Sequence, residues 1–295
     1  MTAQHSTDSG AVGFDGVSEW GRRWRRFQRN RLALVSLAFI VVLALLAVFA
    51  EVIAPFDPNQ PDFGKRLTGP FTDGNLLGTD VLGRDVFSRL LFGLRTALFI
   101  ALTAELLALL CALIVGVLAG YFGGRLDQLL MAATDVMYAF PTYLFAVILA
   151  TVLGRSTWSI ILAIAIGSWL TQARLVRAQM IKLKTFEYVE AGRSMGAGAG
   201  TLILRYLLPN SLGPILVATS FGIPAAMLAE SGLAILGLGV APPEASLGTM
   251  ITEGYKYVLV QPNLILWPFT VFALGMLAFT WVGDGIRDAF DPKDD

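Results

Sequence analysis

Residues 186–210 read FEYVEAGRSMGAGAGTLILRYLLPN, and they lie between two apolar runs, residues 158–173 and 212–240. The stretch before it, from Arg174 to Lys184, is basic. Acidic Glu187 and Glu190 open a segment that continues through Ala191 and Gly192 to Met195, and this segment predicts a short helix over residues 186–195. Three glycines in the next five residues (Gly196, Gly198 and Gly200) make a poor helix interior and a good tight bend, since glycine alone takes left-handed backbone angles cheaply. The apolar Leu202, Ile203, Leu207 and Leu208 then form a second piece, expected to close at Pro209 and Asn210. A helix–turn–helix of about forty residues, 174–211, held at both ends by apolar runs, is the organising feature of the chain.

Outward from it, six stretches approach the roughly 20 apolar residues that a helix needs to cross a bilayer. They are residues 32–54, 96–118, 129–153, 158–173, 212–240 and 264–283. The fifth contains Pro214 and Pro224, which predict a kink or tilt. Fifteen of the 22 lysines and arginines fall in segments on the side of the amino terminus, including Arg22, Arg23, Arg25, Arg26, Arg29 and Arg31 ahead of the first span. The positive-inside rule therefore puts both ends and the 174–211 loop in the cytoplasm, with residues 55–95 outside. Trp158, Trp267 and Trp281 fall near span ends, where an aromatic belt is expected. The resulting organisation is a basic tail (1–31), a first span (32–54), an outside segment (55–95), a core of five spans (96–283) and a short tail (284–295).

Composition agrees: 55% of the 295 residues are hydrophobic, 15% are charged and the formal net charge is zero. Lipid is the solvent of most of this chain, and the balance gives no reason to expect a nucleic-acid partner. Its one cysteine, Cys111, lies in an apolar run and its one histidine, His5, in a polar tail, so neither a disulfide framework, a Cys/His metal site nor a histidine-based triad is expected. No Gly-x4-Gly-Lys-Ser/Thr phosphate loop occurs.

Glu190-Ala191-Gly192, Gly196, and Tyr206-Leu207-Leu208-Pro209 stand at the spacing of a motif carried by the permeases of ABC importers: Glu-Ala-Ala, three residues, Gly, nine residues, then Ile-x-Leu-Pro. Gly192 replaces the second alanine and Tyr206 the isoleucine. The likeness extends from about Arg29 to Pro292 and is to the second permease subunit of dipeptide, oligopeptide and nickel importers. It is carried by Leu77-Gly78-Thr79-Asp80, Gly83-Arg84-Asp85, Gly120-Tyr121-Phe122-Gly123-Gly124, Gly237-Leu238-Gly239 with Pro242-Pro243, and Gly283-Asp284-Gly285.

The resemblance implies an all-α integral membrane fold of the type I importer kind, with the first span peripheral. It implies that Glu187, Glu190, Ala191, Gly192, Gly196, Leu208 and Pro209 belong to a coupling loop that docks on a cytoplasmic ATPase. The implied partners are a second, homologous permease, two ATPase subunits that hold ATP and magnesium, and an extracytoplasmic solute-binding protein. The implied place is the cytoplasmic (inner) membrane of a bacterium or archaeon. Peptide is the expected cargo, with nickel or another small solute as the alternative. No catalysis is expected in this chain.

Ionisable residues inside spans are costly and mark either buried polar fastenings or a pathway, which singles out Glu105, Asp135 and Glu230. A self-contained ion-coupled transporter using these carboxylates is a second reading; it calls for internal repeats with broken helices in both halves, and no such repeat is visible. A membrane enzyme would need a nucleophile, base or ligand cluster, and none stands at a suitable spacing. Smaller features have structural readings: Gly116, Gly120 and Gly124 predict a smooth helix face, and Gly283-Asp284-Gly285 predicts a helix stop. Residues 73–85 read either as a docking surface or as a solvated loop.

Overall fold

The computed structural model describes residues 19–290, so His5 and Asp291-Pro292 lie outside the described residues. Among the described residues the chain is helical, apart from loops and two isolated bridges, Thr72 to Asn75 and Thr79 to Asp85. A basic helix α1 (Glu19–Arg29) turns at Asn30 into α2 (Arg31–Val48), which the short α3 (Ala50–Ile53) extends. The Asn30 side chain caps α2 by accepting from the Ala33 N–H at 3.1 Å. Only 22% of this first span is buried, against 28–56% for the other unbroken spans.

Helix α4 (Val86–Phe122) is 37 residues long and starts ten residues before its apolar run. The cause is Asp85, whose carboxylate accepts from both the Ser88 N–H and the Ser88 hydroxyl at 2.7 Å and so caps a helix that begins in polar sequence. The third apolar run is not one straight span. Helices α5 (Gly124–Tyr138) and α6 (Thr142–Leu153) are bent by 81°, at the break that contains Pro141; proline excludes the residue before it from the helical region and supplies no N–H. Helix α7 (Thr157–Leu183) runs ten residues beyond its apolar core, so the basic stretch from Arg174 is helical.

After α8 (Glu187–Ser194) the chain forms one rod, Ala199–Ile235, made of α9 (Ala199–Thr201), a π turn (Leu202–Leu207) and α10 (Leu208–Ile235). Pro209 therefore does not end the second piece of the loop. In the π turn the Leu208 N–H donates to the Ile203 carbonyl five residues back. The wider turn gives the pyrrolidine ring room where a regular turn would drive it against a carbonyl. Helix α11 (Leu247–Tyr255), opened by a Ser246/Thr249 capping box, sits between this rod and α12 (Asn263–Phe290). Gly283 and Gly285 stop nothing: both lie inside α12, where Gly285 accepts the close approach of Ala33 and Phe27.

Five unbroken helices are long and apolar enough to cross a membrane, and the bent pair makes a sixth crossing if its two helices count as one span. At their centre α4 packs along α7. A Cβ at Gly116 would overlap the Ala173 carbonyl and Val176, and one at Gly120 would overlap Met180 and the Arg177 carbonyl, so these two glycines let the backbones meet. Gly124 is not part of that face; it opens α5 with open space around it.

Candidate functional site: the α8 loop

The loop is anchored before it begins. Arg177 of α7 holds Asp127 of α5 in a bidentate pair at 2.6 and 2.7 Å. Lys184, at the end of α7, donates from Nζ to the Gly120 carbonyl at 2.8 Å, which ties the root of the loop to α4. The chain then turns through extended Phe186 into α8.

Helix α8 buries one side and presents the other. Val189 is fully buried in an apolar cluster with Val176, Met180 and Leu183 from α7 and Leu202, Leu207 and Ile215 from the rod. Tyr188 stacks on Tyr206 of the π turn, ring centroids 6.5 Å apart and 13° from parallel, and Phe186 meets Tyr188 edge-on. Burial pushes the Tyr188 hydroxyl pKa up, so the ring stays neutral in this stack. On the outer side Glu187, Glu190, Ala191 and Arg193 are exposed, as is Met195. Glu187 and Glu190 occupy the first turn, where the helix dipole favours negative charge.

The end of α8 is a two-bond cap. Gly196 N–H donates to the Arg193 carbonyl and Ala197 N–H to the Gly192 carbonyl, each at 3.0 Å, with Gly196 at φ +84°. This is the Schellman arrangement, and it requires a left-handed residue at position 196. Gly192 is buried beneath Leu202 and Tyr206: a Cβ there would stand 3.2 Å from Leu202 Cδ2 and 3.4 Å from Tyr206 Cζ. The two departures from the sequence motif thus meet in space, the larger aromatic ring opposite the smaller residue. Leu208 is half-buried and Pro209 exposed, both at the head of α10 rather than on α8.

The three intramembrane carboxylates do not come together on shared partners. Glu105, on α4, accepts from Gln172 Nε2 of α7 and packs over Gly222 of α10, where a Cβ would overlap its carboxylate. Glu230, on α10, accepts from the Ser246 hydroxyl at the cap of α11 and packs over Gly248. Both are buried. Asp135 is different: it is exposed and pairs with Arg174 at 2.7 Å, and the Arg174 guanidinium lies 4.3 Å from the centre of the Tyr138 ring.

At the opposite end of the bundle stands a cluster that hydropathy alone hides. Asp80 accepts from Arg84 Nε at 2.7 Å and lies 3.4 Å from Arg89 Nε, while both arginines reach Glu253 of α11. Arg84 and Arg89 are both buried. The cluster fastens the 54–85 segment to α4 and α11, so part of residues 73–85 is pinned rather than solvated. Its sequence signal is an arginine pair five apart, alternating with Asp80 and Asp85 where an apolar helix begins.

Comparison with known proteins bears on this architecture. Residues 112–293 match the family described as binding-protein-dependent transport system inner membrane component, and residues 18–70 match the N-terminal TM domain of oligopeptide transport permease C. The oligopeptide transport system permease protein OppC of Bacillus subtilis is 37% identical over 291 residues, covering 99% of this chain and 95% of that one. The dipeptide transport system permease protein DppC of Haemophilus influenzae is 38% identical over 275 residues, 92% and 93%. The glutathione transport system permease protein GsiD of Pectobacterium atrosepticum is 36% identical over 275 residues, 93% and 91%. In fold the chain resembles a chain of the inward-facing MetNI methionine ABC transporter, with TM-score 0.56 and 18% identity over 70% of this chain and 98% of that one. A helical bundle of this fold, matched over most of its length by such relatives, belongs to the family of binding-protein-dependent transport system inner membrane components.

Proposed function

We propose that this chain is one permease subunit of an ATP-driven importer of dipeptides and oligopeptides, and that α8 is its coupling helix. The names of the relatives support the cargo, and a nickel or other small-solute cargo is the alternative within the same architecture. The observation that carries the coupling role is the construction of α8: a capped helix with a buried back, bound to the head of a 37-residue rod, and an exposed face of Glu187, Glu190, Ala191 and Met195 free to meet another protein. An element so fixed moves as a rigid lever rather than flexing. Glu187, Glu190, Gly192 and Gly196 then set the shape and charge of the docking face, while Leu208 and Pro209 set its junction with span five.

Both termini and the α8 loop face the cytoplasm, in keeping with the fifteen basic residues on that side. One bundle lines half a pathway, so a second, homologous permease completes it, two ATPase subunits hold ATP and magnesium below, and a solute-binding protein delivers cargo above. Closure of the ATPases draws the two coupling helices together and opens the pathway outward; hydrolysis resets it inward.

A tagged chain purified in mild detergent tests the reading. The expected result is that ATPase subunits and a second permease co-purify, and that replacing Glu190 and Gly196 removes the ATPases while the second permease stays. A chain that purifies alone and transports without an ATPase overturns it.

A further inference from the structure

The helix that precedes the first span has two unlike faces. In α1, EWGRRWRRFQR, the aromatic residues Trp20, Trp24 and Phe27 follow at spacings of four and three and share one side. Arg22, Arg25 and Arg29, at spacings of three and four, lie on the other and are exposed. Asn30 alone separates α1 from span one, so the carboxyl end of α1 lies within about one helical turn of the bilayer boundary.

It is also held there. Phe27 is buried against Ala33 and Gly285, and the Asn30 side-chain amide donates to Asp288 at 3.1 Å. Trp20 meets Phe290 edge-on at 6.0 Å, and the Arg23 guanidinium lies 4.7 Å from the centre of the Phe290 ring. These contacts lock α1 to the end of α12. They do not absorb its aromatic surface, since Trp20 and Trp24 remain 54% and 51% exposed.

Half-exposed tryptophans on one face, arginines on the other and a spanning helix one residue away are the signature of a helix lying in the membrane interface. We propose that α1 is a binding site for anionic phospholipid headgroups. Trp20 and Trp24 enter the boundary between headgroups and acyl chains, and Arg22, Arg25 and Arg29 meet the lipid phosphates. Charge complementarity selects this occupant: basic residues beside an anionic leaflet gain roughly fivefold in binding each, and the aromatic face requires an apolar layer at the same depth. Through Phe27 and Trp20, lipid held by α1 also fixes the end of α12.

The test uses the full chain in phosphatidylcholine vesicles with and without phosphatidylglycerol. Quenching of tryptophan fluorescence by brominated lipid is measured for the wild type and for W20F/W24F, and the difference isolates these two rings. Brominated phosphatidylglycerol is expected to quench them several-fold more than brominated phosphatidylcholine at equal content. R22Q/R25Q/R29Q is expected to abolish that preference, and R22K/R25K/R29K to keep it. Should the glutamine variant fail to insert, about 1 M salt, which screens charge beyond roughly 3 Å, is expected to remove the preference from the wild type. Equal quenching by the two lipids, a preference that survives loss of the arginines or high salt, or rings reached only by aqueous iodide would overturn the proposal. So would loss of quenching when ATPase subunits bind, which would assign the face to a protein.

Discussion

Gly192 and Tyr206 each break a motif, yet together they restore its packing. An alanine at 192 would press on the Tyr206 ring and Leu202 at 3.2–3.5 Å. G192A alone is therefore expected to destabilise the docked α8 by about 1 kcal/mol, and Y206I to relieve most of that cost, an interaction energy within the range seen for touching residues. A double-mutant cycle on the thermal midpoint of the purified complex measures it; additive single effects would deny the compensation. Gly196 is constrained by backbone rather than space, since nothing lies within 4 Å of a Cβ there but its φ is +84°. G196V should cost about 1–3 kcal/mol at the cap. The expected readout is uptake lost with membrane insertion and abundance unchanged; normal uptake would remove the loop from energy coupling. Arg89 is 2% exposed and shared between Asp80 and Glu253. R89L leaves Asp80 with Arg84 as its remaining cation, and loss of a hydrogen bond to a charged group costs about 1.5–3 kcal/mol. Folded yield in detergent should fall sharply, and a yield like that of the wild type would show that the cluster contributes little.

Among the elements, legibility followed the physics of each signal. Apolar length located the five unbroken spans and the run that is bent into α5 and α6, because the bilayer sets a minimum that chance seldom meets. Helix ends were less legible. Asp85 starts α4 in polar sequence through a cap, and Arg174 to Leu183 continue α7 because charged residues are good helix formers once the helix leaves lipid. Proline misled in both directions: Pro141 lies at a break in what reads as one run, whereas Pro209 breaks nothing because a π turn accommodates it. The glycine bend after α8 was legible as a segment, Gly196 to Gly200, but only Gly196 takes the positive φ that demands glycine, while Gly200 is already helical. What no one-dimensional pattern could supply was pairing at a distance: Tyr188 on Tyr206, Lys184 on Gly120, and the Asp80, Arg84, Arg89 and Glu253 cluster.

At the scale of the whole molecule, the carboxylate of Asp135 faces outward from a span and is paired with Arg174, where α7 leaves its apolar run. Arg174 and Asp135 are 42% and 64% exposed, and lipid is a poor environment for either. The bent α5 and α6 beside them leave irregular backbone at the same place, which is tolerated where protein or water covers it. In the assembled complex D135C, in a C111A background, is expected to react with a membrane-impermeant thiol reagent from the α8 side; an unreactive position would place this face against the second permease. The mounting of α8 has a further consequence, for timing. Its rings and its buried glycine rest on Leu202 and Tyr206, at the head of the α10 rod, while α7 is joined to it through the turn at 184–186 and through Val189 packed on Val176, Met180 and Leu183. The two neighbours of the loop are thus gripped differently: α10 through stacked rings and the glycine contact, α7 through the shared apolar cluster and the turn. A displacement of α8 is therefore expected to act on the α10 rod through a stiff ring contact and on α7 through softer aliphatic packing, so that α10 responds first.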